Sequence, residues 1–299
     1  MKILFVINPV AGGINKQPFL EKAKTLCEKY GIEYFFFKTK GEDDEARLRE
    51  ALDNFYPDKV ASVGGDGTTL LTAKTLLNKD FPFGIIPVGS ANGMANELFV
   101  SLDPIVALQD LIMSQVILNL DMLVINDKHH MLHIGDVGIN ANIVDAYAKD
   151  QNKGMATYAK YFMAKLREIN PFSFKIKTEG KEYKERGIMV GICNSRKYGT
   201  GIPLNLNGDP TDGKFEIVVI KDINLGSLIK AGLSKFDEYF YDNQDRKVIT
   251  TTEAEILFDT PRLLQLDGEV VGEFEKLKIN ILKGAVKVIS HKGNVKKTE

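Results

Sequence analysis

Apolar residues in the first third of the chain follow two alternating rhythms. Short continuous runs, Ile3 to Ile7, Tyr34 to Phe37, Val60 to Val63 and Phe83 to Val88, read as strands buried on both faces. Between them apolar positions recur at helical spacing: Phe19, Ala23, Leu26 and Tyr30 in residues 17 to 30, then Ala46, Leu48, Leu52 and Phe55 in Asp44 to Phe55. Gly31 stands where a glycine stops a helix. A third helical pattern starts at Thr68, and a further one covers Pro104 to Met113. Repeated strand–helix units with short connections predict a parallel sheet with helices on both faces. Ligands of such sheets bind beyond the carboxyl ends of the strands.

After Met113 the rhythm changes. Val116 to Asn126 and His130 to Ile134 read as strands joined by the turn Asn126-Asp127-Lys128. Residues 141 to 149 and 155 to 168 look helical. Short strands follow at 172–178, 183–193, 214–220, 247–252, 255–259, 262–267, 277–282 and 285–290, interrupted by one helix from Leu225 to Phe240. Many short strands at close spacing predict an antiparallel β-sandwich. The expectation is therefore an α/β domain over residues 1–118 and a β-sandwich domain over 119–299. No Pro- or Ser-rich linker, internal repeat or low-complexity tract appears. The polar tail Lys292 to Glu299 reads as frayed.

Composition narrows the classes. A length of 299 residues suits about two domains, and 44% apolar with 26% charged residues is ordinary for a soluble protein. A net charge of −1 supplies no global positive field for nucleic acid. Cys27 and Cys193 read as reduced core residues. No run approaches 18 apolar residues, so no transmembrane segment is expected. The first apolar run is too short for a secretory signal and meets Asn8-Pro9 at once. These features predict a cytoplasmic protein.

The chemistry concentrates in Asp58 to Thr72, where the strand Val60–Val63 empties into Gly64-Gly65-Asp66-Gly67 and a helix begins. Glycines let backbone approach an anion, and the helix N-terminus offers free N–H groups and a positive dipole end. An aspartate in such a loop repels phosphate. It makes sense if Mg²⁺ lies between them, or if the carboxylate takes a proton from an attacking hydroxyl. Asn8 to Gly13 and Gly89 to Gly93 are small-residue loops at the ends of neighbouring strands, so three polar loops are expected to converge. His129 and His130 are adjacent on an extended segment and point to opposite faces, so with His133 they do not read as a metal cluster. Lys153 to Arg167 interleaves aromatic and basic residues; it reads as an amphipathic helix packed on a core rather than one resting on a membrane.

Gly64-Gly65-Asp66-Gly67-Thr68 is shared by NAD kinases, phosphofructokinase-like enzymes and lipid kinases of the diacylglycerol kinase catalytic-domain type. Four further segments resemble the lipid kinases in order and spacing: Ile7-Asn8-Pro9 through Gly13, Gly84-Ile85-Ile86-Pro87-Val88-Gly89-Ser90-Ala91-Asn92, the turn Asn207 to Phe215, and Leu266-Asp267-Gly268-Glu269. Two departures stand out. The aspartate that usually follows the asparagine is replaced by Gly93, bringing this loop closer to sphingosine kinases. The first loop lacks the lysine or serine often seen at positions 10 and 11.

The resemblance implies a Rossmann-like nucleotide domain of the NAD kinase and diacylglycerol kinase type, followed by the sandwich. It implies transfer of the γ-phosphoryl of Mg-ATP to a lipid alcohol such as diacylglycerol. Other acceptors are a sphingoid base, phosphatidylglycerol or NAD; a silent nucleotide-binding regulatory module is the alternative from another class. ATP phosphates would meet Gly64, Gly65, Gly67 and Thr68, with Asp66 facing the metal; Asn8, Thr39, Ser90 and Asn92 would contact nucleotide. Glu269 is the implied general base and Asp66 its rival, although Asp267-Gly268 alone reads as a tight β-turn. Asp212, with the carbonyls of Asp209 and Lys214, matches a second, structural metal site of bacterial relatives; a plain Asp-Gly turn is the other reading. The protein would meet its lipid by peripheral contact with a membrane. A homodimer is compatible with the resemblance, and the sequence sets no oligomeric state.

Overall fold

The computed structural model describes residues 1–13, 15–138, 141, 170–197, 204, 205, 207–221 and 246–290. The helices expected over 141–149, 155–168 and 225–240, the basic-aromatic stretch 153–167 and the tail 292–299 lie outside the described residues. The chain forms two compact units. The first holds Met1–Leu120 together with the described residues from Gly284 on, and the second holds Asp121–Lys283. The return of the last strand to the first unit is a feature that a single cut after residue 118 does not carry.

In the first unit β1 (Lys2–Ile7), β2 (Glu33–Lys38), β3 (Lys59–Gly64) and β4 (Phe83–Pro87) form a parallel sheet in the order β4-β3-β1-β2. The last strand, β14 (Glu269–Ser290), adds beside β4, with Val288 opposite Phe83. Strand β1 is buried almost throughout, because helices cover both its faces. Ile3, Phe5 and Ile7 join the core of α1 (Gln17–Lys29) and α5 (Pro104–Met113), while α2 (Asp44–Phe55) packs on the opposite face with α3 (Asp66–Thr75). Gly31, at φ 62°, ends α1, and Ile32 N–H reaches back to the Cys27 carbonyl at 2.8 Å. Asp103 caps α5 by accepting from the N–H groups of Ile105 and Val106. The α5 carbonyls at the other end are taken by Lys59 Nζ, which reaches Leu111 and Ser114 at 2.9 Å each. Parallel strands send all three glycine-rich loops to one edge.

The second unit is antiparallel. Its strands are the end of β5 (Val116–Ile125), β6 (His129–Met131), β7 (Ile134–Gly138), β8 (Phe172–Thr178), β9 (Lys181–Gly187), β10 (Met189–Cys193), β11 (Phe215–Ile220), β12 (Arg246–Thr251), β13 (Glu253–Leu266) and the first part of β14. The order is β12-β11-β10-β7-β13-β14, with the β8–β9 hairpin on the first half of β13 and β6 on β5. Asn126 and Asp127 both have positive φ inside the expected turn Asn126-Asp127-Lys128, which joins Ile125 of β5 to His129 of β6. Phe172, Phe174, Ile176, Phe215, Ile217, Leu277 and Ile279 share one core.

Strand boundaries differ from expectation in four places. The strand expected over His130 to Ile134 is two, β6 ending at Met131 and β7 running from Ile134 on to Gly138. Residues 255–259 and 262–267 belong to one strand, because the chain crosses Pro261 through a register shift between Leu257 and Arg262 rather than a turn. Residues 277–282 and 285–290 likewise merge within β14, with Gly284 at φ 57° supplying the bend. The run 183–193 divides instead into β9 and β10 at Gly187, where any Cβ would lie 2.6 Å from the Ile220 carbonyl oxygen. Among the described residues no helix is long and apolar enough to cross a membrane.

Candidate functional site

The three loops at the carboxyl edge of the parallel sheet touch through backbone. Gly12, at φ 65°, has room for no Cβ: one would lie 2.6 Å from the Val88 carbonyl oxygen. A Cβ on Gly89 would lie 2.4 Å from Gly65 Cα. Val88 N–H donates to the Gly64 carbonyl at 3.0 Å, and Asn8 N–H to that of Val63 at 3.2 Å. The glycines let three main chains pack where side chains would hold them apart, which is what an anion cradle requires. Helix α3 starts inside this cradle at Asp66; the N–H groups of Thr68 and Thr69 return to the Gly65 carbonyl at 3.1 and 3.0 Å, which leaves those of Asp66 and Gly67 as the donors without an intrahelical partner. Thr68 Oγ1 is buried with no hydrogen-bond partner among the described residues. An orphaned buried hydroxyl at such a helix start fits a phosphate oxygen.

Asp66 holds two loops together. Its carboxylate accepts from Gly93 N–H at 3.0 Å and Met94 N–H at 3.1 Å, capping the short helix α4 (Gly93–Glu97). Sequence reasoning missed this, and missed α4 altogether. The position after Asn92 is a glycine, and its N–H turns to the aspartate of the neighbouring loop. A carboxylate has about four lone-pair sites, so two accepted bonds leave room for a cation. Mg²⁺ held by one carboxylate and substrate phosphates is common, so these residues fit the ion.

The remaining first-unit candidates divide. Asn92 spends its amide within its own loop: Oδ1 accepts from Gly89 N–H and Nδ2 donates to the Gly89 carbonyl, both at 2.9 Å. It shapes the loop at φ 54°, and its donor end is used internally. Asn8 Oδ1 accepts from Val10 N–H at 3.1 Å, which leaves the amide's donor end facing out. Ser90 is exposed at the tip of its loop. Thr39 follows β2 and is tied to β1 by its N–H on the Ile7 carbonyl at 2.9 Å. Lys16 was overlooked. It is buried, Nζ donates to the Ala11 carbonyl, and burial lowers the ammonium's pKa. Its ammonium lies under the first loop, tied to that loop's own carbonyls. The only sequence signal was its place just beyond the Gly12-Gly13 pair.

In the second unit the Asp209–Lys214 turn is stabilised from within. Asp209 Oδ1 accepts from Thr211 N–H at 2.9 Å, Asp212 Oδ1 accepts from Lys214 N–H at 2.8 Å, and Asp212 N–H reaches the Asp209 carbonyl at 3.3 Å. Buried Asp121 pins the turn, accepting from Gly213 N–H at 2.6 Å while its own N–H donates to the Pro210 carbonyl at 2.7 Å. Glu216 is buried beside it; burial raises its pKa, the Asn205 amide bond opposes this, and the Asp212 charge adds to the rise. Among the described residues no group of three His, Cys, Asp or Glu side chains gathers as a metal site. A site of one carboxylate and two carbonyls is a smaller demand. If a cation binds there, Asp212→Ala is expected to lower Tm, and a chelator to lower the wild-type Tm similarly, because an ion bound only to folded protein stabilises it. Unmoved transitions in both experiments leave a plain turn.

Glu269 opens β14 directly after a two-residue turn, Asp267 at φ 50° and Gly268 at φ 89°. The tight-turn reading of these residues is what the backbone shows. Glu269 is exposed, so no desolvation cost argues for its role. The turn beneath it is nevertheless held firmly. The Asp267 carboxylate accepts from Leu132 N–H at 2.8 Å and His133 N–H at 2.9 Å. Gln265 Oε1 accepts from Gly268 N–H at 2.9 Å, and its Nε2 donates to the buried Asp136 carboxylate. The pairing of Asp136 with Gln265 across β7 and β13 left no trace in the sequence.

Comparison with known proteins agrees with this architecture. Residues 2–125 match the diacylglycerol kinase catalytic domain, and residues 135–290 match the YegS C-terminal NAD kinase beta sandwich-like domain, which alone spans more than half of the chain. A protein of Alcanivorax borkumensis named "Probable lipid kinase YegS-like" is 27% identical over 242 residues, 78% of each chain. A diacylglycerol kinase of Bacillus subtilis is 22% identical, with 91% of this chain and 92% of the relative covered. Among solved structures, a diacylglycerol kinase from Bacillus anthracis superposes at TM-score 0.72 and 20% identity, over 98% of this chain and 97% of that one. An NAD kinase from Archaeoglobus fulgidus in complex with ATP does so at 0.58 and 14%, over 99% and 96%. At these identities the two structures establish the shared fold.

Proposed function

The chain belongs to the lipid kinase family built on the diacylglycerol kinase catalytic domain, and we propose that it transfers the γ-phosphoryl of ATP to the hydroxyl of a lipid alcohol such as diacylglycerol. The observation that carries this is the backbone cradle of Gly12, Gly65 and Gly89 around the start of α3. Phosphoryl transfer asks for positioning and charge neutralisation more than covalent chemistry. The N–H groups of Asp66 and Gly67 at the start of α3, Thr68 Oγ1 and the Asn8 amide hold phosphate oxygens. Lys16 adds positive field beneath the first loop, Ser90 and Thr39 lie where nucleotide contacts are expected, and Asp66 fixes the two glycine loops in register. Mg²⁺, held by Asp66 and the phosphates, would neutralise charge on the transferring group. The acceptor oxygen bonds to the γ-phosphorus as the bond to the β,γ-bridging oxygen breaks, ADP leaves, and Glu269 takes the hydroxyl proton. The Asp209–Lys214 turn, with Asp212, is assigned a structural cation. The protein meets its lipid by peripheral contact with a membrane from the cytoplasmic side.

The test is the acceptor. Incubation with labelled ATP and a panel of diacylglycerol, phosphatidylglycerol, sphingoid base and NAD is expected to place label in a lipid extract. Label in NAD alone would overturn the lipid assignment.

A further inference from the structure

Gln265 and Asp136 stand opposite one another on β13 and β7, and both are buried, at 1% and 0% exposure. A buried carboxylate is costly unless its oxygens are satisfied. Asp136 Oδ1 accepts from Ala141 N–H at 2.8 Å, and Oδ2 accepts from Gln265 Nε2. The other end of the same amide is also used, because Gln265 Oε1 accepts from Gly268 N–H at 2.9 Å. Gly268 immediately precedes Glu269. We propose that Gln265 is a positioning residue, an inference that rests on Glu269 as the proton acceptor. Backed by Asp136, its amide fixes the Gly268 peptide and so sets where Glu269 meets the acceptor hydroxyl.

The turn forms without this pair. Asp267 and Gly268 have the positive φ values of a two-residue turn, and the Asp267 carboxylate already clamps it through the N–H groups of Leu132 and His133. Leu266 and Glu269 close the ladder, so the Gly268 N–H belongs to no strand pair, and Gln265 supplies its acceptor. Only one orientation of the amide serves. Turned over, Gln265 would set its oxygen against an Asp136 oxygen and an N–H against that of Gly268. Asp136 therefore selects the orientation in which Gly268 meets an oxygen. Donation to a carboxylate also polarises the amide and strengthens the bond that its oxygen accepts. The turn is thus held on two sides, at Asp267 by the 132–133 segment and at Gly268 by the buried pair. Glu269 is exposed, so its placement depends on the backbone beneath it. A proton acceptor must lie within about 2.6–3.2 Å of the hydroxyl oxygen, and a misplacement of about 1 Å can cost about 10²-fold in rate.

Two variants separate positioning from stability. Gln265→Asn keeps an amide for Asp136 but is one methylene too short to reach Gly268 as well. Gln265→Met keeps the length and loses both bonds. Each is expected to lower kcat about 10-fold with KM for ATP unchanged. Neither should lower kcat further in a Glu269→Gln background, because residues that act through one another are not additive. Equal losses in both backgrounds would mean a purely structural role and overturn the proposal, as would wild-type kcat in both folded variants. Circular dichroism verifies folding. Hydrogen exchange tests the contact without any catalysis. The Gly268 amide is expected to be protected in wild type and to exchange about 10-fold faster in Gln265→Asn. A Gly268 amide that exchanges freely in wild type overturns the proposal whatever the phosphotransfer result. Glu269→Gln at wild-type kcat would remove the base reading and the positioning role with it, yet leave the exchange result intact, so the two failures are distinguishable.

Discussion

Glu269→Gln is expected to lower kcat by about 10²–10⁴-fold, the usual contribution of a positioned base, while ATP binding stays near wild type. The change keeps size and removes the proton acceptor. Because Glu269 is exposed and the turn beneath it is held by Asp267 and Gln265, the variant should fold with unchanged stability. Asp66→Asn should behave differently. The amide loses the charge that serves a hard cation, and it matches only one of the two N–H groups it must accept. Rate and Mg²⁺ dependence should both fall, with about 1 kcal/mol of stability lost from the uncapped α4. Steady-state kinetics at varied Mg²⁺ and thermal unfolding check the contrast. A Glu269→Gln enzyme with near-normal kcat on its best lipid would transfer the base role to Asp66.

Gly89→Ala and Gly65→Val should both abolish nucleotide binding, but at different structural cost. At position 89 a single added carbon meets Gly65 Cα at 2.4 Å, so two backbones must part and stability should fall by about 1–3 kcal/mol. At position 65 the first carbon meets only Gly89 Cα, at 3.2 Å, and φ is an ordinary −100°. Valine there fits the backbone but crowds the cradle with its branched carbons. The fold should survive with a smaller loss while phosphate is shut out. Calorimetric ATP titration of each folded variant measures this; unchanged affinity in Gly65→Val would remove the phosphate-loop assignment.

The parallel half was the more legible. Buried two-sided strands leave continuous apolar runs and their helices leave periodic ones, so α2 and α5 lie where the spacing put them. The sandwich blurred because its long strands pass through interruptions. Thr260-Pro261 and Lys283-Gly284 look like turns in sequence, yet a register shift and a positive φ carry β13 and β14 across them. Helix α4 was invisible for another reason. Its five residues are too short for periodicity, and its cap comes from Asp66 in a different loop. The same limit hid the Asp121 anchor and the Asp136–Gln265 pair, which act through contacts distant in sequence; Lys16 was hidden because its bond to the nearby Ala11 carbonyl depends on how the first loop folds back. Motifs pointed to the glycine loops that the structure brings together; they did not show that Asn92 and Asp66 spend polar atoms on holding those loops.

Phosphoryl transfer itself is measured most directly by following two labels in parallel. Protein is incubated with vesicles containing diacylglycerol and with ATP carrying label on either the α- or the γ-phosphorus. The account predicts that only γ-label enters the lipid extract, with one ADP formed per labelled lipid. ATP that binds yet yields no ADP with any lipid would contradict it, and would make the chain a nucleotide-binding regulator rather than a kinase.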